Sequence, residues 1–168
     1  PMRSSLRILT LLLTACLLLG SFCALPALAA DGPVTVDAHN GGSMGPKQIT
    51  SDYCIRVNLG APFTRLTAVM PTWAQTDAEA SLALYKWTGD PEDSLKAEPI
   101  ATQRFDPMRD NATNKITFDP QPAGEYLFAV IEPRGSVGVW TNESCTDNLG
   151  FLYSDGQEKN SLPELKIT

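Results

Sequence analysis

Histidine is nearly missing from this chain: His39 is the only one in 168 residues. A Ser-His-Asp triad would have to rest on that single residue of a Gly-rich stretch. No serine elbow and no active cysteine is recognisable beside it. Zinc sites draw on several His and Cys ligands, so zinc chemistry is excluded as well. Positive charge is also short, with 13 Lys and Arg against 19 Asp and Glu and a formal charge of −6. That balance disfavours a phosphate backbone or an anionic membrane surface as partner and argues against nucleic acid. Helix-period segments of useful length are lacking, and after the first thirty residues no apolar run is long enough to span a membrane.

The first thirty residues are a different matter. "MRSSLRILTLLLTACLLLGSFCALPALAA" has a basic start (Arg3, Arg7), a leucine-rich stretch and a small-residue end at Ala27-Leu28-Ala29. This is the pattern of a secretory signal peptide over 1–30 and implies a secreted or cell-surface protein. "LTAC" ending at Cys16 offers a lipoprotein reading, but the "LLLGSF" that follows is not the polar tether a lipidated cysteine normally carries. Cleavage leaves 138 residues, enough for one domain with a real core, and takes the formal charge to −8. Two of the four cysteines leave with the leader. Cys54 and Cys145 remain as a candidate disulfide, which in an oxidising compartment contributes about 3 to 5 kcal/mol when unstrained.

What is abundant is short β-type runs separated by Gly, Pro, Asn and Asp. They fall at 33–39, 48–59, 63–70, 81–87, 99–105, 115–119, 125–131, 136–140, 149–154 and 162–168. The division is an N-terminal strand and Gly-rich segment over 31–47 and a sandwich domain over 48–168. Nine or ten short strands without crossover helices predict an all-β fold, an antiparallel sandwich of jelly-roll type, with a closed barrel as the alternative. "EYLFAVI" (125–131) is apolar on both faces and is expected at the centre of a sheet, its outer face covered. "TDAEA" (76–80) is the one helical suspect, and "TGDPED" (88–93) is expected to be a turn.

"PTW" (71–73), "SLALYKW" (81–87), "PIATQRF" (99–105), "PAGEYLF" (122–128), "VGVW" (137–140) and "SDG" (154–156) occur in an order that resembles a family of β-sandwich accessory modules. These modules belong to secreted bacterial proteins, often beside glycoside-degrading domains, and bind carbohydrate. The resemblance implies a jelly-roll-like fold and a non-catalytic role. To that pattern this chain adds its own leader and the cysteine pair.

The residues themselves point the same way. Sugar rings stack their apolar faces on Trp and Tyr while amides and carboxylates bond the hydroxyls, and the candidates are Trp73, Tyr85, Trp87, Trp140 and Tyr153 with Asp90, Asn142 and Asp155. Each has a packing alternative. Tyr85 and Trp87 alternate with Ala83 and fit a core face; Trp73 follows Pro71 in a loop. In "SVGVW" Trp140 points opposite Val137 and Val139, and Gly138 leaves a gap beside it for a flat ligand or another aromatic. Polysaccharide is therefore the expected partner, a protein partner on a sheet face the alternative, and a small glycosidase a third reading. No acid pair stands out as a glycosidase would need. No cofactor is implied, though turns at 88–93, 106–111 and 146–150 carry the oxygen donors a structural calcium takes.

Overall fold

The computed structural model describes residues 44–142, the strand segments 152–154, 157–159 and 162–163, and residues 165–168. Strands β1 (Gly45–Ile49), β2 (Tyr53–Leu59), β3 (Phe63–Met70) and β4 (Glu79–Lys86) come first, followed by one helix, α1 (Pro91–Lys96). Strands β5 (Ala101–Phe105), β6 (Ala112–Gln121), β7 (Gly124–Arg134) and β8 (Val137–Asn142) follow. Four short strands complete the described chain: β9 (Leu152–Ser154), β10 (Gln157–Lys159), β11 (Leu162–Pro163) and β12 (Leu165–Ile167).

Every strand pairing is antiparallel. A six-stranded sheet runs β10-β9-β2-β7-β4-β5, and two three-stranded sheets run β1-β8-β11 and β12-β3-β6. The Pro71 carbonyl accepts the Gly138 N–H at 2.9 Å, so the end of β3 joins β8 and links the two small sheets. One apolar layer fills the space between large and small sheets. Ile55, Val57, Leu82, Leu84, Tyr126, Phe128 and Val130 come from the large sheet, and Ile49, Leu66, Met70, Ile116, Val137, Val139 and Ile167 from the small ones. The protein is thus the all-β antiparallel sandwich expected from the spacing of its runs.

β7 lies between β2 and β4, as its two apolar faces require. Its inner face (Tyr126, Phe128, Val130) enters the main core. Its outer face (Leu127, Ala129) joins Cys54, Ala83 and Tyr85 in a second buried cluster, against which Trp87 and Leu95 of α1 pack. The β7–β8 turn depends on Gly135, which adopts φ +65° and whose Cβ, were there one, would lie 2.5 Å from the Asp77 carbonyl oxygen.

Four local expectations change. The run 162–168 is divided, β11 pairing with β8 and β12 with β3 in the other small sheet. Residues 48–59 are not one strand: β1 and β2 belong to different sheets, and the chain turns between them where Asp52 Oδ1 accepts the Glu132 N–H at 2.8 Å. The boundary after Lys47 accordingly falls inside β1. The suspected helix at 76–80 is absent; Glu79 and Ala80 open β4 instead. The helix lies where a turn was expected. Asp90 caps it, its carboxylate accepting from the Glu92 and Asp93 N–H groups, with Pro91 at the first helical turn.

Candidate functional site

The alternation of β8 sets the site. Val137 and Val139 are buried in the core, which turns Gly138 and Trp140 to the outer face of the small sheet. Register then places Gln48 opposite Gly138 and Pro46 opposite Trp140 on that same face. The gap at Gly138 is filled by Trp73. A Cβ at position 138 would lie 2.6 Å from Trp73 Cη2 and 2.9 Å from both Trp73 Cζ3 and the Lys47 carbonyl, so only glycine lets this indole lie against the strand. Trp73 nevertheless remains 42% exposed, the one exposed large apolar side chain among the described residues.

Trp140 is half-buried and fixed by its polar edge: its Nε1–H donates to Asn111 Oδ1 at 2.8 Å. Asn111 Nδ2 donates in turn to Asp110 Oδ2 at 3.2 Å. Asp110 Oδ1 accepts the Thr72 N–H at 2.7 Å, immediately before Trp73 in the chain. The two indoles are therefore connected through a continuous bridge, Thr72–Asp110–Asn111–Trp140, whose two middle side chains are exposed.

Backbone strain concentrates at the same place. Four non-glycine residues among those described have positive φ, and three of them surround the indoles: Trp73 (+51°), Ala74 (+60°) and Asn111 (+52°). Left-handed conformation costs a non-glycine residue about 1 to 2 kcal/mol, least for Asn. It persists here because the loop is over-determined. Thr72 is fully buried, its carbonyl accepts the Gln75 N–H, and the Asn111 N–H reaches the Met70 carbonyl.

The other aromatic candidates are placed elsewhere. Tyr85 is 4% exposed in the outer cluster of the six-stranded sheet, and burial, with Asp52 and Glu132 adding to it, pushes its hydroxyl pKa upward. Trp87 lies under the Arg56 guanidinium, 5.0 Å from ring centroid to Cζ, and Arg56 pairs with Glu125. Asp90 is occupied as the cap of α1. Tyr153 lies in β9 in register with Cys54, and Asn142 ends β8 opposite Leu162. Asp155, His39 and Cys145 lie outside the described residues. So does the 146–150 turn offered for calcium, and among the described residues no group of three or more His, Cys, Asp or Glu is placed to hold a metal.

Cys54 is buried, and burial, with Asp52 as the lesser cause, pushes its thiol pKa up to about 12. Tyr53 is buried in the main core, its hydroxyl without a hydrogen-bond partner among the described residues, and its pKa is driven far up by desolvation. Residues 41–45, "GGSMG", have the spacing of a nucleophile elbow, but Gly45 opens a strand rather than a helix.

Of the sequence candidates, then, the structure brings together Trp73 and Trp140. Asp110 and Asn111 were missed as their polar partners. The available signal was "DN" in a turn, since Asn tolerates left-handed backbone and bonds outward, but its partner is 29 residues away. Compared with known protein families, with curated proteins and with solved structures, the chain matches none.

Proposed function

We propose that this chain is a secreted, non-catalytic module that holds carbohydrate on the Trp73–Trp140 face. One observation carries the reading: an indole is kept exposed by a strained backbone and tied to a second indole through exposed polar side chains. Strain clustered beside exposed polar groups supports the reading, since such backbone persists where the surroundings hold it and gathers at ligand-binding surfaces. Indole faces supply the apolar contact a pyranose ring stacks on, and the exposed Asp110 and Asn111 side chains offer polar groups for its hydroxyls.

Intrinsic fluorescence of the purified domain, titrated with soluble plant and microbial polysaccharides, tests this. A saturable shift is expected, lost in Trp73→Ala and in Trp140→Ala while circular dichroism stays that of the folded protein. A folded protein that responds to no glycan would remove the proposal and favour a protein partner.

A further inference from the structure

We infer that the Trp73–Trp140 face selects uncharged glycans and that Asp110 is the residue excluding polyanionic ones. This rests on the carbohydrate reading above and adds a ligand class to it. The outer-face residues of the two strands under the indoles are Pro46, Gln48, Gly138 and Trp140, none of them charged. Lys47, in register with Val139, belongs to the alternate side of β1.

Asp110 is different. Both of its oxygens accept within the bridge, one from the Thr72 N–H and one from Asn111, which holds the carboxylate in the chain of bonds joining the two indoles. Those donors are neutral amides and leave its negative charge uncompensated by them. Arg109 precedes it and is exposed, but Arg109 is not part of the bridge. The whole chain is also acidic, at −6. A uronate or sulfate stacked on either indole would bring like charge toward a carboxylate held by two hydrogen bonds. A hydroxyl there donates to it instead.

The test uses soluble glucan, xylan and mannan, each uncharged and carboxymethylated, against wild type, Asp110→Asn and Arg109→Gln, by tryptophan fluorescence at low salt. Asp110→Asn keeps an amide oxygen for the Thr72 N–H, gives up the acceptor of the Asn111 Nδ2–H and removes the charge, so the readout is the charged-to-uncharged ratio rather than affinity itself. Wild type is expected to bind at least one uncharged polymer about tenfold more tightly than its carboxymethylated form. Asp110→Asn should narrow that ratio to about twofold, and Arg109→Gln should leave it or widen it. Should Asp110→Asn misfold, salt replaces it: raising NaCl from about 20 mM to about 500 mM should narrow the wild-type ratio by screening. Equal binding of charged and uncharged forms by wild type, or a ratio unmoved by both charge removal and salt, overturns the selection and leaves the carbohydrate reading standing. Binding of no polymer overturns both.

Discussion

Two apolar alternations in this protein lead to a tryptophan, Trp87 just beyond β4 and Trp140 within β8, and the two tryptophans meet different surroundings. On the outer face of the six-stranded sheet, Tyr85 and its neighbours Cys54, Ala83, Leu127 and Ala129 are buried, and Trp87 packs against them beneath Arg56. On the outer face of the small sheet, Trp140 is bonded at its edge to Asn111, and Trp73 lies exposed over Gly138. Alternation decides which side of a sheet a residue takes. Whether that side is then covered is decided by other segments: Trp87 and α1, which follow β4 directly, pack on one face, and the loop carrying Trp73, distant in sequence from β8, lies on the other.

The sharpest way to break the comparison is to truncate one aromatic on each face. Tyr85→Ala should lower unfolding free energy by about 3 kcal/mol or more through lost burial and a cavity. Trp73→Ala should cost less, about 2 kcal/mol at most, since the indole is already 42% exposed; alanine keeps its Cβ and so the same backbone strain. Urea melts of both variants, read with glycan titration, should show stability lost in one and binding lost in the other.

Alkali separates the regions next. Tyr53 and Tyr85 both have hydroxyl pKa values raised in the folded state by burial. A raised folded pKa means the contribution is whole below the unfolded value of 10.0 and is lost as pH climbs toward the folded one. Stability should therefore fall above about pH 10, by up to about 1.4 kcal/mol per pH unit for each such group. Tyr53→Phe should flatten that fall and add about 1 kcal/mol at neutral pH, because it removes a buried hydroxyl with no partner among the described residues. Denaturant midpoints from pH 7 to 11.5 check both.

Asp90→Ala comes third, costing about 1 kcal/mol as a lost helix cap and leaving glycan affinity unchanged, since its carboxylate serves α1. The smallest effect is expected at Ala74. Ala74→Gly should raise the melting temperature by a degree or two, about 0.5 kcal/mol, by relieving φ +60° against the extra unfolded-state entropy of glycine.

The parts of the fold governed by local pattern were legible. β3 matches the expected run over 63–70 residue for residue, and β4 buries Leu82 and Leu84 on one side and Ala83 and Tyr85 on the other. The orientation of Trp140 away from the valines was readable from alternation, and the gap at Gly138 from composition. The β1–β2 corner was not, because the Asp52–Glu132 bond that supports it spans 80 residues. Helix α1 was overlooked although Asp90-Pro91 is a strong start signal, since six residues carry too little apolar periodicity to register. In the site, the indoles were visible as types. Their bridge was not, for Asp110 and Asn111 look like any turn pair until Thr72 arrives from the loop after β3 and Trp140 from β8.

The three left-handed residues also bear on what mutation would do to this protein over generations. At positions 73, 74 and 111 glycine fits the backbone better than the residue present. At Ala74 the exchange gives up only a methyl group, so a library selected for heat resistance alone should collect glycine there first. At 73 and 111 the same backbone preference is opposed by the indole lying against Gly138 and by the bond to Trp140, so glycine should be rarer at both. Adding selection for ligand capture should leave the choice at 74 untouched and remove what glycine remains at 73 and 111.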